Sequence, residues 1–127
     1  MSLDVFLQLF RAEGGAEADR ELLARLLQPY LVRIGPGSTD LRFADGDAAI
    51  YGTEDLGSGF MVNHVSGRQA WDVLVAVARQ AGLTILAVGC PAAVPSESLL
   101  TDLPAELRHD AVVVRSGEDL MRMIEAA

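Results

Sequence analysis

The stretch FMVNHVSGRQAWDVLVAVARQAGLTILAVGC, residues 60–90, decides the fold. Phe60–Val65 is short, mostly apolar and β-prone, and reads as a strand. Ser66 stands three residues before Gln69, the spacing of a capping box that satisfies backbone N–H groups where a helix begins. The helix is expected over Arg68–Ala81, with Gly82 taking the left-handed turn at its end. Val73, Val75 and Val77 also show period two, but the length, the cap and the glycine stop favour helix. Its apolar residues run nearly all round, so it should be covered on more than one side. Leu83–Val88 follows as a second strand, closed by Gly89-Cys90-Pro91. Strand, helix and strand joined this tightly form a βαβ unit with parallel strands.

Upstream, Leu3–Phe10 alternates. Leu3, Val5, Leu7 and Leu9 lie on one face, and Phe6 and Phe10 on the other suggest that it too is partly covered. Gly14-Gly15 breaks the pattern. Ala16–Gln28 reads as a helix with Leu22, Leu23, Leu26 and Leu27 in one stripe, and Pro29 ends it. Glu17, Asp19 and Glu21 favour its N-terminal half, and Glu21 and Arg25 stand at i, i+4. Tyr30–Ile34 is either a short strand or an extended return, and Gly35-Pro36-Gly37-Ser38 is a turn. Asp45-Gly46 signals a type I′ hairpin, pairing Ala44 with Asp47, Phe43 with Ala48, Arg42 with Ala49 and Leu41 with Ile50. That register places Leu41, Phe43, Ala48 and Ile50 together, whereas a one-residue slip scatters them. Thr53–Gly59 is an acidic, glycine-rich loop.

Downstream, Pro91–Asp110 is a long connection in which Ser96–Leu100 and Asp102–Arg108 each form a helical turn. Ala111–Arg115 is a buried-type strand. Ser116 and Asp119 repeat the capping spacing ahead of a helix over Gly117–Ala126, with Leu120, Met121 and Ile124 inward. The order β-α-β-β-β-α-β-(short α)-β-α implies an α+β fold: a single mixed β-sheet with helices packed mainly on one face, on a ferredoxin-like core with a C-terminal extension.

The chain has 127 residues, which fits one domain able to bury about two-thirds of its unfolded surface without disulfides or metal. The single Cys90 cannot form an intramolecular disulfide and suits a reducing, cytoplasmic setting. The start lacks a basic region, and Val73–Ala78 is the longest wholly apolar run, so neither a signal peptide nor a membrane span is expected. Net charge is −8, and all ten basic residues are arginine. Nucleic acid is therefore a poor partner, because phosphate binding needs a basic footprint. Arginine-only usage with 18 alanines also looks like a GC-rich coding bias. Hydrophobic residues make up 50% before the 12 glycines are counted, against about 45–50% with glycine included in ordinary domains. Such an excess is consistent with a homodimer interface.

Several motifs fail on their chemistry. Gly52–Gly59 lacks the Gly-Lys-Ser/Thr ending of a phosphate loop and carries Glu54 and Asp55, which repel phosphate. Asp45-Gly46-Asp47 has the wrong spacing for a calcium loop, because Ile50 stands where the glycine is needed. One cysteine with His64 and His109 supplies too few ligands for a metal site, and no cofactor is expected. Cys90 and His64 have the residue types of a nucleophile and its base, but no catalytic signature surrounds Cys90. The Ser66-Gly67 and Ser116-Gly117 junctions each end a strand and open a helix, where free N–H groups can hold an anion beside Arg68 and Arg115. Helix capping explains the same pairs.

Two functions fit. One is a non-enzymatic partner-binding or regulatory domain, such as a small acidic inhibitor or immunity-type protein. The other is a binder of a small molecule or anion, or an enzyme, using the strand-end edge at His64, Ser66, Arg68, Cys90, Arg115 and Ser116.

Overall fold

A computed structural model describes residues 3–14 and 17–127. Its strands are β1 (Val5–Gln8), β2 (Leu31–Ile34), β3 (Thr39–Phe43), β4 (Gly46–Tyr51), β5 (Phe60–Asn63), β6 (Thr84–Ala87), β7 (Ala93–Val94) and β8 (Val112–Val113). The helices are α1 (Arg20–Leu27), α2 (Gln69–Ala81), α3 (Ala105–Arg108) and α4 (Gly117–Ala126), with 3₁₀ segments at Gln28–Tyr30, Thr53–Ser58 and Glu97–Asp102. The strands form one mixed sheet in the order β2-β3-β4-β5-β1-β6-β7-β8. The fold class is thus α+β, as the pattern of elements implied.

The β5–α2–β6 unit runs in the expected direction, but its strands are not neighbours. β1 lies between them, antiparallel to both, with Val5 opposite Val62 on one side and Ala87 on the other. This is a split βαβ unit. Here it is extended by β2, β3 and β4 on one side and by β7 and β8 on the other. β2 resolves the ambiguous Tyr30–Ile34 segment as a strand. β7 lies inside Pro91–Asp110, which reads as a connection in the sequence because two residues flanked by prolines carry no readable period.

Period-two burial divides the sheet. Val5, Leu7, Leu41, Ile50, Val62 and Ile85 are almost inaccessible and pack with Leu23 and Leu27 of α1, Leu74 and Val77 of α2, and Leu120 of α4. On the opposite face, Ala92, Val94 and Leu103 form a smaller cluster with Phe10, Leu86 and Leu107. The second face of β1 itself is open, contrary to expectation: Phe6 is 41% exposed and Gln8 is exposed, and only Phe10, beyond the end of the strand, packs into this cluster. In α4 it is Met123, not Met121, that is buried beside Leu120. α1 starts at Arg20 because the Asp19 carboxylate accepts from the Leu22 N–H at 3.1 Å. The expected earlier start at Ala16, and Gly15 of the preceding break, lie outside the described residues. Among those residues, no helix is long and apolar enough to cross a membrane.

The hairpin keeps its faces and changes its turn. Phe43 pairs with Gly46 and Leu41 with Ala48, so the two-residue loop is Ala44-Asp45 and the register is displaced by two from expectation. Displacement by an even number leaves Leu41, Phe43, Ala48 and Ile50 on the core face. The turn is not type I′, because neither loop residue nor Gly46 has positive φ. Gly46 is required for another reason: a Cβ there would lie 2.0 Å from the Ser66 carbonyl oxygen.

Candidate functional site

The strand-end edge is built by β5 and β6. His64, with φ of 53°, ends β5 in the left-handed region that histidine tolerates better than most residues. Cys90 follows β6 in a tight turn, half-buried, with its N–H on the Ala87 carbonyl at 3.0 Å. Since β1 separates β5 from β6, the two strand ends stand about 10 Å apart, twice the inter-strand spacing.

Ser66 does not cap α2, contrary to the sequence reading. Its hydroxyl accepts from the Asp47 N–H at 2.9 Å and its own N–H donates to the Asp47 carbonyl at 2.9 Å. The cap comes from the hairpin loop instead. The Asp45 carboxylate accepts from the N–H groups of Arg68 (2.8 Å) and Gln69 (3.2 Å). In return, the Gln69 side-chain oxygen accepts from the Ala44 N–H. This is a reciprocal capping box made across the tertiary structure. The Arg68 and Gln69 N–H groups hold the Asp45 carboxyl below the usual aspartate range.

α4 is capped partly as expected and partly not. Ser116 Oγ accepts from the Asp119 N–H at 3.1 Å, and the Asp119 carboxylate accepts from the Arg115 N–H at 2.9 Å. The Asp72 carboxylate, from α2, accepts from the Gly117 N–H at 2.8 Å. The Arg115 carbonyl accepts from the Arg79 guanidinium at 2.6 Å. Each of these two helix N-termini is therefore occupied by a carboxylate of the chain itself. Ser66 and Arg68 sit together at one, Arg115 and Ser116 at the other. The sequence offered no local sign of Asp45 or Asp72 in this role, since both act across long separations.

Two concavities flank β2. On the open sheet face, a cavity of about 760 Å³ is lined by Arg33, Asp40, Arg42, Asp47 and His64, with Val32 and Ala49 between them. Its walls are charges of both signs on exposed strands. On the helix side, a cavity of about 540 Å³ lies between α1, β2 and the Thr53–Ser58 segment. Its walls are chiefly apolar: Ala24 and Leu27 of α1, Leu31 and Ile34 of β2, Pro36 and Leu56. Thr39 lies at its base, 1% exposed, with its hydroxyl 3.5 Å from that of Thr53.

A β-bulge shapes this second cavity. Leu31 pairs with Leu41, then the register shifts, and Ile34 pairs with Thr39. Residues three apart on a regular strand face opposite ways. The extra residue, Val32, brings both Leu31 and Ile34 to the core side, as bulges re-aim side chains. Yet α1 stops short of covering Ile34, which is 77% exposed, more than any other large hydrophobic residue described. The far wall is fixed to the start of α1 by the Arg20–Asp55 ion pair (3.3 Å) and, just before the helix, by the Ala18 N–H on the Gly57 carbonyl (3.0 Å).

No family model matches the chain, and neither a curated protein nor a solved structure matches it.

Proposed function

We propose that this chain is a non-enzymatic partner-binding domain and that it docks its partner at the cleft between α1 and β2. The observation that carries the reading is Ile34: a side chain turned to the core side by a bulge, then left uncovered over an apolar cavity. Large apolar groups gathered around an open concavity mark binding surfaces. The two helix N-termini, by contrast, spend their N–H groups on Asp45 and Asp72, so they serve to lock the fold. An acidic regulator or inhibitor fits the net charge of −8.

The test is capture from the native host with the wild-type chain and with Ala24→Trp. Ala24 is exposed on the α1 wall of the cavity, so the larger side chain fills the cleft without entering the core. The expected result is a protein retained by wild type and lost by the variant, then reconstituted as a binary complex from purified components. Equal retention by both chains, or chemical turnover of the retained molecule, sinks the reading.

A further inference from the structure

We propose that the open sheet face of β1–β5 is the interface of a weak homodimer, in which two copies pack sheet on sheet. This goes beyond the cleft reading and uses the other face of the sheet.

The face is recessed. The segment 97–108 covers it only over β6, β7 and β8, where Leu103 and Leu107 cluster with Leu86, Val94 and Val113. Over β1–β5 the side chains of this face are exposed or half-buried. They leave the 760 Å³ cavity described above and a shallower one of about 290 Å³ around Phe6, Tyr51 and Met61. The raised segment stands at the β8 side. Half a turn about an axis along the strands therefore carries it past β2 of the other copy, and the two recesses meet.

The centre of the recess is apolar. Tyr51 stands opposite Met61, Met61 opposite Phe6 and Phe6 opposite Leu86, in one row across four strands. Phe6 is 41% exposed, and Val32 at the margin is 51% exposed. An apolar centre with a charged margin is the anatomy of a protein–protein interface.

The margin selects a second copy. In a two-fold contact a patch meets itself, so its charges must complement themselves. Arg33 stands opposite Asp40, and Arg42 opposite Asp47. Two charges of each sign thus gather here, although the chain as a whole carries −8. The excess acid lies elsewhere, where salt screens it. Neither guanidinium, nor the Asp40 carboxylate, has an ion-pair or hydrogen-bond partner among the described residues. Asp47 accepts from the Ser66 hydroxyl at 3.1 Å. A partner of one sign would set half of this margin against like charge.

The extent of the face sets the strength. Five strands at about 4.8 Å spacing, each with about five residues of about 3.3 Å, give a footprint of about 400 Å² per copy. A pair then covers about 800 Å² before side-chain relief is counted, below the range of about 1,200–2,000 Å² for stable complexes. Dissociation in the micromolar range or weaker is therefore expected.

Sedimentation equilibrium from micromolar to millimolar chain tests the inference. The mass should rise reversibly from 13.5 kDa to twice that value. Phe6→Gln should raise the dissociation constant at least tenfold, and Ala24→Trp should leave it unchanged. Charge exchange on exposed strand positions then identifies the occupant without touching the core. Arg33→Glu with Arg42→Glu makes the margin wholly acidic, and Asp40→Arg makes it mainly basic. Each variant alone should stay monomeric where wild type dimerises, and the two mixed should dimerise. A single 13.5 kDa species at millimolar chain, a dimer indifferent to Phe6→Gln, a dimer dissolved by Ala24→Trp, or a mixture that stays monomeric overturns the inference. So does a host protein retained by wild type and lost by the acidic variant while the chain alone remains a monomer, which makes a foreign partner the occupant. The cleft is judged separately, by capture with Ala24→Trp, so each reading can fail without the other.

Discussion

Gly46→Ala tests how the hairpin is locked to α2. A Cβ at residue 46 would lie 2.0 Å from the Ser66 oxygen, 2.4 Å from its carbonyl carbon and 2.8 Å from its hydroxyl. Backbone cannot swing aside as a flexible side chain does, so the two segments must part by about 1 Å to reach a tolerable contact. Parting them strains the two bonds between Ser66 and Asp47, each 2.9 Å. Two such bonds are worth about 1–3 kcal/mol together, and forced overpacking costs about 1–3 kcal/mol. We expect Gly46→Ala to destabilise by about 2–4 kcal/mol, read as a lowered urea midpoint at unchanged slope. Gly46→Asn separates close approach from turn conformation. Asparagine tolerates positive φ, so a glycine kept for its turn geometry would accept it. Close approach predicts that asparagine costs at least as much as alanine. A loss below about 0.5 kcal/mol for alanine, or near-wild-type stability for asparagine, refutes the reasoning.

Asp45→Asn should weaken the fold at neutral pH and flatten its acid dependence. Because the folded carboxyl titrates below its ordinary value, its contribution is complete above about pH 4 and disappears as pH falls towards the lowered value. Urea midpoints at about pH 6 and pH 3 check this, and an undiminished loss in the variant counts against the cap. Asp72→Ala should cost about 1 kcal/mol through the lost bond to Gly117, with amide exchange accelerated first at the start of α4; uniform acceleration throughout the chain argues against a local cap. Leu103→Ala, at a site 2% exposed, should cost about 2–5 kcal/mol by cavity formation. Thermal denaturation measures it, and a neutral result means that the smaller cluster on the second sheet face contributes little.

Local periodicity makes β1 and α4 readable, length and the Gly82 stop decide for a helix at α2 where Val73, Val75 and Val77 show period two, and cap chemistry at Ser116 fixes the start of α4. Local signals mislead where distant segments supply the decisive groups. Gly46 and Ser66 each carried a plausible local signal, the first as a turn glycine and the second as an N-cap. In the folded chain they meet one another, and Asp45 takes the capping role. Because the hairpin register differs by two, an even number, the sequence pattern still gives the core face of the hairpin. The α1–β2 cleft was hidden for a related reason. A regular reading of Leu31–Ile34 sends Leu31 and Ile34 to opposite faces, and the bulge at Val32 has no sequence marker of its own. The strand-end residues were readable as a set of chemical types, but their hydrogen-bond partners were not.

The position of β1 governs how the chain can acquire its structure. Val5 and Leu7 are completely inaccessible at the centre of the sheet, yet their neighbours are Val62 and Phe60 on one side and Ala87 and Ile85 on the other. During synthesis this strand leaves the ribosome long before either neighbour exists. The meander β2–β5 can pair locally as it emerges and can take up β1 once residues 60–63 are available, but the other edge of β1 stays open until residue 87 follows. Long loops must then close before their contacts reward closure, which favours slow folding. In the interval, an apolar strand with both edges free is exposed to association with other chains. Yield on expression should therefore depend on chaperone supply and temperature more than the finished fold's stability alone would suggest.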